Sequence, residues 1–370
     1  MKDFISQLET PCLVIDMDIV RANIRRVQES ADQYGCALRP HIKTHKVPLF
    51  ARMQVEAGAK GITCAKVSEA EVMADGGLDD IFIAYPMVGA FRIRRAIALS
   101  RRVKRLILAV DSQEGAEMLN RAALEAGVRL EVRMEIDTGA GRTGILQEKS
   151  LALAQAVSQM EGLKLTGIYT FKGLVYQEKP CQDAAIAARE EGEMMAAIAK
   201  LLRKAGIAIR DVSAGSTPTG LAVAETGLVN EIRPGTYIFN DVLLCAEKAA
   251  VPEQIAGRIY ATVVSTPRAD YAVIDGGTKT FPCDIPIGVP PYYFPGYAVV
   301  EGMKHLHLAR MNEEHGILVA DNGETGLHVG QVISLLPIHI CTALNMQNEI
   351  YLLENGVVRK QRVEARGMLI

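Results

Sequence analysis

Eight short apolar segments alternate with alanine-rich segments of helical spacing between about residue 36 and residue 245. A strand that alternates with a helix builds βα units, and consecutive units give a parallel sheet. Eight such units close into a (β/α)8 barrel, which typically takes about 250 residues. We therefore predict an α/β fold that begins with a TIM-like barrel. The predicted barrel strands are residues 38–42, 61–65, 80–85, 105–111, 130–136, 165–171, 211–214 and 231–239.

The pattern changes after about residue 246. Short strand-like runs follow one another there, separated by turns rich in Gly, Pro and Asn such as Glu354-Asn-Gly, and no long helical pattern intervenes. Such a pattern is typical of a β domain. We predict a barrel domain at residues 10–245 and a C-terminal β domain at residues 246–370, with residues 1–9 as candidates to join the β domain. A helix at residues 17–34 precedes the first barrel strand.

Composition narrows the class of protein. The 370 residues carry 41 basic and 43 acidic side chains, a net charge of −2, which excludes the electrostatic footprint of a nucleic-acid binder. The sequence has no apolar run of about 18 residues and its first residues have no apolar core, so we expect neither a membrane span nor a signal peptide. The seven cysteines are scattered without a CxxC pair, which favours a reducing cytoplasm.

The segment Arg39-Pro-His-Ile-Lys-Thr-His-Lys46 begins on the first predicted strand and places Lys43 at its end. It resembles the pyridoxal-phosphate (PLP) lysine motif of the D-threonine aldolase and D-serine dehydratase family, a branch of the alanine-racemase-like enzymes of fold type III. The resemblance implies that Lys43 holds the cofactor through an imine, with His41 beside it. Only a primary amine forms such a reversible bond with an aldehyde, and partial burial keeps it nucleophilic. The alternative is a basic surface patch at the end of a strand.

A glycine-rich segment follows the fifth predicted strand. Asp137-Thr-Gly-Ala-Gly-Arg-Thr-Gly144 resembles the D-T-G-x-x-R-x-G signature of alanine-racemase-like enzymes. The resemblance implies that Arg142 reaches the phenolic oxygen of the cofactor, where a guanidinium favours the phenolate. The alternative is a plain strand-to-helix turn.

Two further segments belong to the last two predicted barrel strands, the first following its strand and the second lying on the next one. Ser213-Ala-Gly-Ser-Thr-Pro-Thr219 and Arg233-Pro-Gly-Thr-Tyr237 both resemble phosphate-binding segments of the family. Glycine lets backbone N–H groups approach phosphate oxygens, hydroxyls add donors, and the last two strands are where barrels commonly bind phosphate. Either segment alone could be an ordinary turn. By resemblance the cofactor contacts are Ser216, Thr217, Gly235, Thr236 and Tyr237.

Two tyrosines, Tyr169 and Tyr176, have the spacing of the pair that lines the cofactor pocket in D-serine-dehydratase-like proteins. The sequence departs from the family between them. Dehydratases usually carry histidine where Phe171 stands, and aldolases carry histidine where Lys172 stands. Phe171 cannot transfer a proton, whereas Lys172 could if its pKa were lowered, so we take Lys172 as a candidate catalytic residue. The alternative is an exposed loop lysine.

The segment Pro337-Ile-His-Ile-Cys-Thr342 reads as strand-like, which puts His339 and Cys341 on one face. It resembles the P-N-H-x-C motif of D-serine dehydratases, whose histidine and cysteine bind zinc; aldolases of the family usually have aspartate in place of the cysteine. Imidazole and thiolate suit zinc better than magnesium, with manganese or magnesium as other candidates. A buried core pair is the alternative. Asp275-Gly-Gly-Thr-Lys279 and Asn312-Glu-Glu-His-Gly316 also resemble family segments, without an assigned role.

The resemblance implies a PLP-dependent, metal-assisted lyase that acts on β-hydroxy D-amino acids and works as a homodimer. The His-x-Cys pattern favours dehydration of a D-serine- or D-threonine-type substrate over aldol cleavage of D-threonine or 3-hydroxy-D-aspartate. An amino-acid racemase is a further alternative, and a non-catalytic PLP carrier is the alternative outside enzymes. The expected partner is a small amino-acid substrate, with neither nucleic acid nor membrane.

Overall fold

The computed structural model describes residues 3–370, which divide into two compact units. The barrel unit comprises residues 24–235 and 367–370, and the β unit comprises the residues up to Asn23 together with 236–366. The sequence instead predicted a boundary between residues 245 and 246. The first strand accounts for part of the difference, because Cys12–Asp16 pairs with strands at 257–260 and 351–353 rather than with the barrel. Among residues 3–370, none of the helices combines the length and apolarity needed to cross a membrane.

The secondary structure alternates strands and helices up to residue 246 and is mainly strands afterwards. The strands, numbered in chain order, are β1 (Cys12–Asp16), β2 (Ala37–Leu38), β3 (Ile62–Cys64), β4 (Asp80–Pro86), β5 (Arg105–Val110), β6 (Leu130–Glu135), β7 (Leu163–Tyr169), β8 (Val175–Tyr176), β9 (Lys179–Pro180), β10 (Asp211–Ala214), β11 (Glu231–Ile232), β12 (Gly257–Arg268), β13 (Tyr271–Ile274), β14 (Ala298–Val300), β15 (Leu306–Met311), β16 (Gly316–Ala320), β17 (Val332–Pro337), β18 (Glu349–Glu354) and β19 (Val357–Arg362).

Most of the helices belong to the βα units. The helices are α1 (Met17–Gln33), α2 (Pro48–Glu56), α3 (Val67–Asp75), α4 (Ala90–Ser100), α5 (Gln113–Glu125), α6 (Ser150–Ser158), α7 (Ala184–Lys204), α8 (Gly220–Glu225), α9 (Val242–Ala246) and α10 (Ile340–Asn345). Short 3₁₀ turns lie at Asp3–Gln7, Ile42–Thr44, Gln147–Lys149, Thr236–Ile238 and Pro252–Gln254.

The barrel unit contains an eight-stranded parallel sheet in the order β2-β11-β10-β7-β6-β5-β4-β3. The two outer strands meet through a parallel bridge between His41 and Thr63, where the Thr63 N–H donates to the Pro40 carbonyl at 2.8 Å. The closed sheet confirms the predicted (β/α)8 fold. Strands β4 and β5 are mainly apolar, as expected where helices cover the outer face of a barrel and side chains fill its interior.

The first and last barrel strands are much shorter than the sequence predicted. The predicted strand at 38–42 is β2 followed by a single bridge and a 3₁₀ turn, and the predicted strand at 231–239 ends at Ile232. Prolines at 40 and 234 explain the error, because proline has no N–H to donate to the next rung of the sheet.

A side-chain cap fixes the start of the longest barrel helix. Helix α7 begins where the Asp183 carboxylate accepts hydrogen bonds from the N–H groups of Ala185 and Ile186 at 2.9 and 3.1 Å. Such a cap satisfies N–H groups that the first helical turn leaves without a partner. Helix α7 buries one face at helical spacing, with Met195, Ile198 and Leu202 fully covered.

The β unit contains a nine-stranded, mostly antiparallel sheet in the order β13-β16-β15-β14-β17-β12-β1-β18-β19. An additional pairing of β13 with β12 closes the first six strands of that order into a barrel. Buried side chains of its core include Val263, Ile274 and Leu318. The predicted β domain is thus a closed antiparallel barrel that β1, β18 and β19 extend.

Candidate active site

The lysine of the first motif lies in the 3₁₀ turn Ile42–Thr44, directly after the bridge that closes the barrel sheet. Its backbone N–H donates to His41 Nδ1 at 3.3 Å, and its side chain is exposed while Ile42 and Thr44 are buried. Burial and the nearby cations, Lys43 foremost, hold the pKa of His41 well below its ordinary value. A neutral His41 can therefore accept the hydrogen bond that orients Lys43.

A buried ion pair anchors the residues after Lys43. Lys46 has a left-handed backbone (φ +54°), which is unusual for a residue with a long side chain. Its Nζ lies 2.9 Å from Glu69 Oε1, and Glu69 Oε2 accepts a hydrogen bond from the N–H of Ala65 at 2.6 Å. The fully buried Glu69 thus ties the lysine turn to the end of β3.

Phe171 brings Lys43 and Arg142 together. Its ring centroid lies 5.6 Å from Lys43 Nζ and 4.4 Å from Arg142 Cζ, within the range of cation–π attraction. The glycine-rich segment that carries Arg142 therefore lies beside the Lys43 turn, and the cofactor contacts of both residues stay predictions. The Phe171 ring carries no transferable proton and lies beside both cations.

The glycine-rich segment folds around the carboxylate of Asp137, which accepts N–H groups of Gly139 and Gly141 at 2.9 and 3.2 Å. Gly144 has φ +109°, and a Cβ there would lie 2.6 Å from the Asp137 nitrogen. The last glycine of the signature is therefore required by the backbone, and it fixes the loop that carries Arg142.

The two predicted phosphate segments meet in the structure. The Gly235 N–H donates to Thr217 Oγ1 at 3.2 Å, and the Ser216 N–H donates to Thr219 Oγ1 at 3.1 Å. A Cβ on Gly235 would lie 3.0 Å from the His41 carbonyl oxygen, so a larger residue here would press on the Lys43 turn. Small residues, hydroxyls and backbone N–H groups fit the binding of a phosphate group.

The last two predicted phosphate contacts belong to the β unit. Thr236 begins the 3₁₀ turn Thr236–Ile238, and its Oγ1 lies 3.4 Å from Cys341 Sγ. Tyr237 is buried, with an exposed fraction of 2%. The hydroxyl of Thr236 is therefore engaged with a predicted metal ligand.

The structure places the two predicted pocket tyrosines in different surroundings. Tyr169 is buried, with its ring edge-to-face on Phe82 at 4.9 Å, and Arg233 Cζ lies 5.1 Å from its centroid. Tyr176 is 37% exposed on the small β8–β9 hairpin. Tyr169 packs the barrel interior, and the cofactor contacts of both tyrosines stay predictions.

Lys172 is buried, so the alternative of an exposed loop lysine is wrong. Its Nζ forms an ion pair with Glu190 on α7, and that carboxylate also accepts the Gln177 N–H at 3.2 Å. The ion pair holds Lys172 Nζ against α7, and a catalytic role for this lysine stays a prediction.

Sequence reasoning missed two charged groups in the barrel. Arg233 is buried and donates to Ser213 Oγ at 2.6 Å and to the Thr170 carbonyl at 2.5 Å. Burial raises the pKa of Glu191 on α7 to about 7. Arg233 stands in the quoted phosphate segment, so its charge was visible in the sequence, whereas nothing in the helical pattern marks Glu191.

The prediction that His339 and Cys341 lie on a strand is wrong. β17 ends at Pro337, and His339 is the residue that precedes the first turn of α10, which contains Cys341. The two side chains nevertheless meet through a hydrogen bond. Burial alone would lower the pKa of His339, but hydrogen bonds with Asp284 and Cys341 raise it to about 11. Burial alone would raise the pKa of Cys341, but His339 lowers it overall.

Asp241 holds the beginning of α10 in place. Its Oδ1 accepts the Leu244 N–H at 2.9 Å and so caps α9, and its Oδ2 accepts the Ile340 N–H at 3.0 Å. Burial raises the pKa of this carboxyl to about 6. One carboxylate thus fixes the two helix starts that lie next to the His-x-Cys pair.

The donor chemistry fits a metal with an open coordination sphere. Within the part of the chain that the structure describes, no three His, Cys, Asp or Glu side chains are arranged as a closed metal site. An imidazole and a thiol two residues apart suit zinc, and two protein ligands leave positions for water or a substrate hydroxyl.

Comparisons with known proteins agree with the two units. The model of the alanine racemase N-terminal domain matches residues 15–241, and that of a putative serine dehydratase domain matches residues 256–353. The chain is 31% identical over 369 residues to a D-threonine aldolase of Arthrobacter sp., covering 99% of this chain and 94% of the relative. It is 35% identical over 358 residues to a D-threo-3-hydroxyaspartate dehydratase of Delftia sp. (strain HT23), covering 92% and 93%.

A solved structure resembles the whole chain. A cysteine-to-alanine variant of a D-threo-3-hydroxyaspartate dehydratase, in its metal-free form, has a TM-score of 0.89 at 32% identity and covers 96% of this chain and 97% of its own. The family resemblance predicted from the motifs is therefore confirmed. The chain belongs to the alanine-racemase-like family that includes D-threonine aldolases and D-serine dehydratases.

Proposed function

We propose that this chain is a PLP-dependent, zinc-assisted lyase that dehydrates a β-hydroxy D-amino acid to a keto acid and ammonia. The observation that carries the proposal is the Cys341 thiol held against His339 at the start of α10. Aldolases of the family usually have aspartate at that position. The relatives' names support the substrate class, since they refer to D-threonine, D-serine and hydroxyaspartate.

The residues around Lys43 fit PLP. Lys43 would hold the cofactor, Arg142 would face its phenolic oxygen, and Thr217 with Gly235 would receive its phosphate. When bound, PLP supplies an electron sink that stabilises negative charge at the α-carbon of the substrate. Lys43 Nζ would be the base that removes the α-proton of the substrate, and Phe171, whose ring centroid lies 5.6 Å from that nitrogen, would give an apolar surface beside it.

The residues around α10 fit a zinc ion. His339 and Cys341 would hold it, and zinc would supply Lewis acidity that helps a β-hydroxyl leave. Asp241 keeps the start of the helix fixed, and Thr236 contacts Cys341 Sγ at 3.4 Å. These residues orient the two ligands.

The test uses the purified full-length chain with D-serine, D-threonine and threo-3-hydroxy-D-aspartate. Each substrate is incubated after chelator treatment and again with zinc, manganese or magnesium added. We expect ammonia and a keto acid, and we expect chelation to remove the activity and zinc to restore it. Formation of an aldehyde and glycine without a keto acid would overturn the dehydratase proposal.

Aldol cleavage is the second candidate, because the D-threonine aldolase of Arthrobacter sp. matches over 99% of this chain. The racemase alternative needs a second base, and Lys172 Nζ could act as one only after leaving its ion pair with Glu190. The match of residues 256–353 to the serine dehydratase domain argues against a simple PLP carrier. Light scattering of the purified protein tests the homodimer that the resemblance implies.

A further inference from the structure

Asp284 contacts the imidazole of the predicted metal ligand His339. Its Oδ2 lies 2.6 Å from His339 Nδ1, and the same oxygen accepts a hydrogen bond from Thr342 Oγ1 at 3.1 Å. Thr342 Oγ1 also lies 3.4 Å from Nδ1. The position of the ring therefore depends on side chains from two parts of the β unit, α10 and the loop that contains Asp284.

The helix backbone does not hold this ring. His339 precedes the first turn of α10 in an extended conformation (φ −131°, ψ 104°), and its side chain makes no capping hydrogen bond. An imidazole at such a position has rotational freedom and a choice of two neutral tautomers. A partner at Nδ1 removes both freedoms.

The segment that leads to Asp284 is anchored by two motifs that have no role in the proposed reaction. The N–H groups of Thr278 and Lys279 donate to the carbonyls of Asn312 and Glu313 at 2.9 and 3.2 Å. A Cβ on Gly277 would lie 2.2 Å from the Asn312 carbonyl oxygen, so the two segments approach each other only because residue 277 is glycine. Phe281 then packs with no exposed surface, three residues before Asp284.

We propose that Asp284 is a positioning residue that accepts the Nδ1–H of His339 and thereby presents Nε2 to the metal held with Cys341. Histidine ligands almost always donate their other ring N–H to a carboxylate, carbonyl or water, which fixes the tautomer and makes the ligand more basic. The inference rests on the metal centre of the proposed function and adds to it a residue that the His-x-Cys pattern does not contain.

The test measures zinc affinity of the full-length protein, freed of metal by chelation, by competition with a chromogenic chelator. The variants are Asp284→Ala, Asp284→Asn and the matched control Asp321→Ala. Asp321 Oδ2 lies 2.6 Å from His307 Nε2, so it is the same kind of pair at the same distance in the same unit. We expect Asp284→Ala to weaken zinc binding by about 10- to 100-fold. Asp284→Asn, whose amide oxygen still accepts Nδ1–H, should lose less, and Asp321→Ala should bind like the wild type.

Each outcome of the zinc-affinity measurements either supports or refutes the positioning role of Asp284. If Asp284→Ala binds zinc as tightly as Asp321→Ala, Asp284 does not position His339. If Asp284→Ala and Asp284→Asn both lose all zinc binding while their circular dichroism is unchanged, Asp284 is a ligand and not a positioning residue. If Asp284→Ala does not fold, the zinc affinity of Asp284→Asn is compared with that of Asp321→Ala, and equal affinities would refute the positioning role. A wild-type protein that binds no zinc would instead refute the metal centre of the proposed function, and this inference with it.

Discussion

The charged side chains at the two ends of the barrel have different partners. At the amino-terminal ends of the strands, basic and acidic side chains neutralise one another: Arg39 lies 2.6 Å from Asp80 and 3.0 Å from Glu231, and Arg133 lies 3.0 Å from Asp211. At the carboxyl-terminal ends, Lys43 and Arg142 contact the ring of Phe171. Charges are paired with opposite charges at the first end, whereas two cations share one aromatic ring at the second.

The difference follows from where each residue stands on its strand. The network is formed largely by the first residues of four strands, Asp80, Arg105, Asp211 and Glu231. The predicted cofactor residues follow the last residues of their strands. In barrels of this kind, chemistry lies at the carboxyl-terminal end and the opposite end serves stability. Substitutions at the two ends should therefore have separable effects.

The largest expected effect is that of Lys43→Ala. Removing the amine should lower kcat by about 10²- to 10⁴-fold and abolish the adduct that borohydride traps, because no other primary amine would replace it as base. The matched control is Lys60→Ala at the other end, where Lys60 Nζ lies 3.8 Å from Asp211. The absorbance of bound PLP and the mass of the borohydride-reduced protein show whether the adduct forms. A trapped adduct in Lys43→Ala would refute the assignment.

The second prediction concerns stability. Arg133→Met leaves the buried carboxylates of Asp211 and Glu231 without one of their cations, and the free energy of unfolding should fall by about 3–5 kcal/mol. Arg210→Met removes a 55% exposed partner of the same Asp211 and should cost at most about 1 kcal/mol. Urea unfolding measures both. An equal loss in the two variants would show that burial does not set the strength of this network.

The smallest effect is a dependence on pH. Burial alone would raise the pKa of Asp211, but Arg210 and Arg133 lower it from 3.8 to about 2. The resulting stability, about 2 kcal/mol, is present above pH 4 and is lost as the pH falls from about 4 to 2. Unfolding free energies of the wild type should show this slope, and Asp211→Asn should flatten it. An unchanged slope in the variant would assign acid unfolding to other groups.

Sequence patterns predicted the strands and helices better than they predicted the side-chain contacts between distant segments. Alternating apolar segments were sufficient for the barrel, because each βα unit depends on neighbouring residues. The patterns failed at Pro40 and Pro234, where one missing N–H ends a strand, and at α10, where two apolar residues flanking His339 imitate a strand. Asp241 and Asp284 were missed because they act on residues 99 and 55 positions away, and no local pattern reports such pairs.

The pairing of β1 with strands far along the chain affects the order in which the protein folds during synthesis. Cys12 pairs with Tyr260 and Val14 with Tyr351, so β1 leaves the ribosome long before either neighbour exists. Residues 24–235, by contrast, complete the barrel sheet from one continuous stretch. During synthesis the barrel can therefore fold first. The apolar side chains of β1 stay uncovered until the final strands emerge. Between these two events the edges of β1 have no strand to pair with.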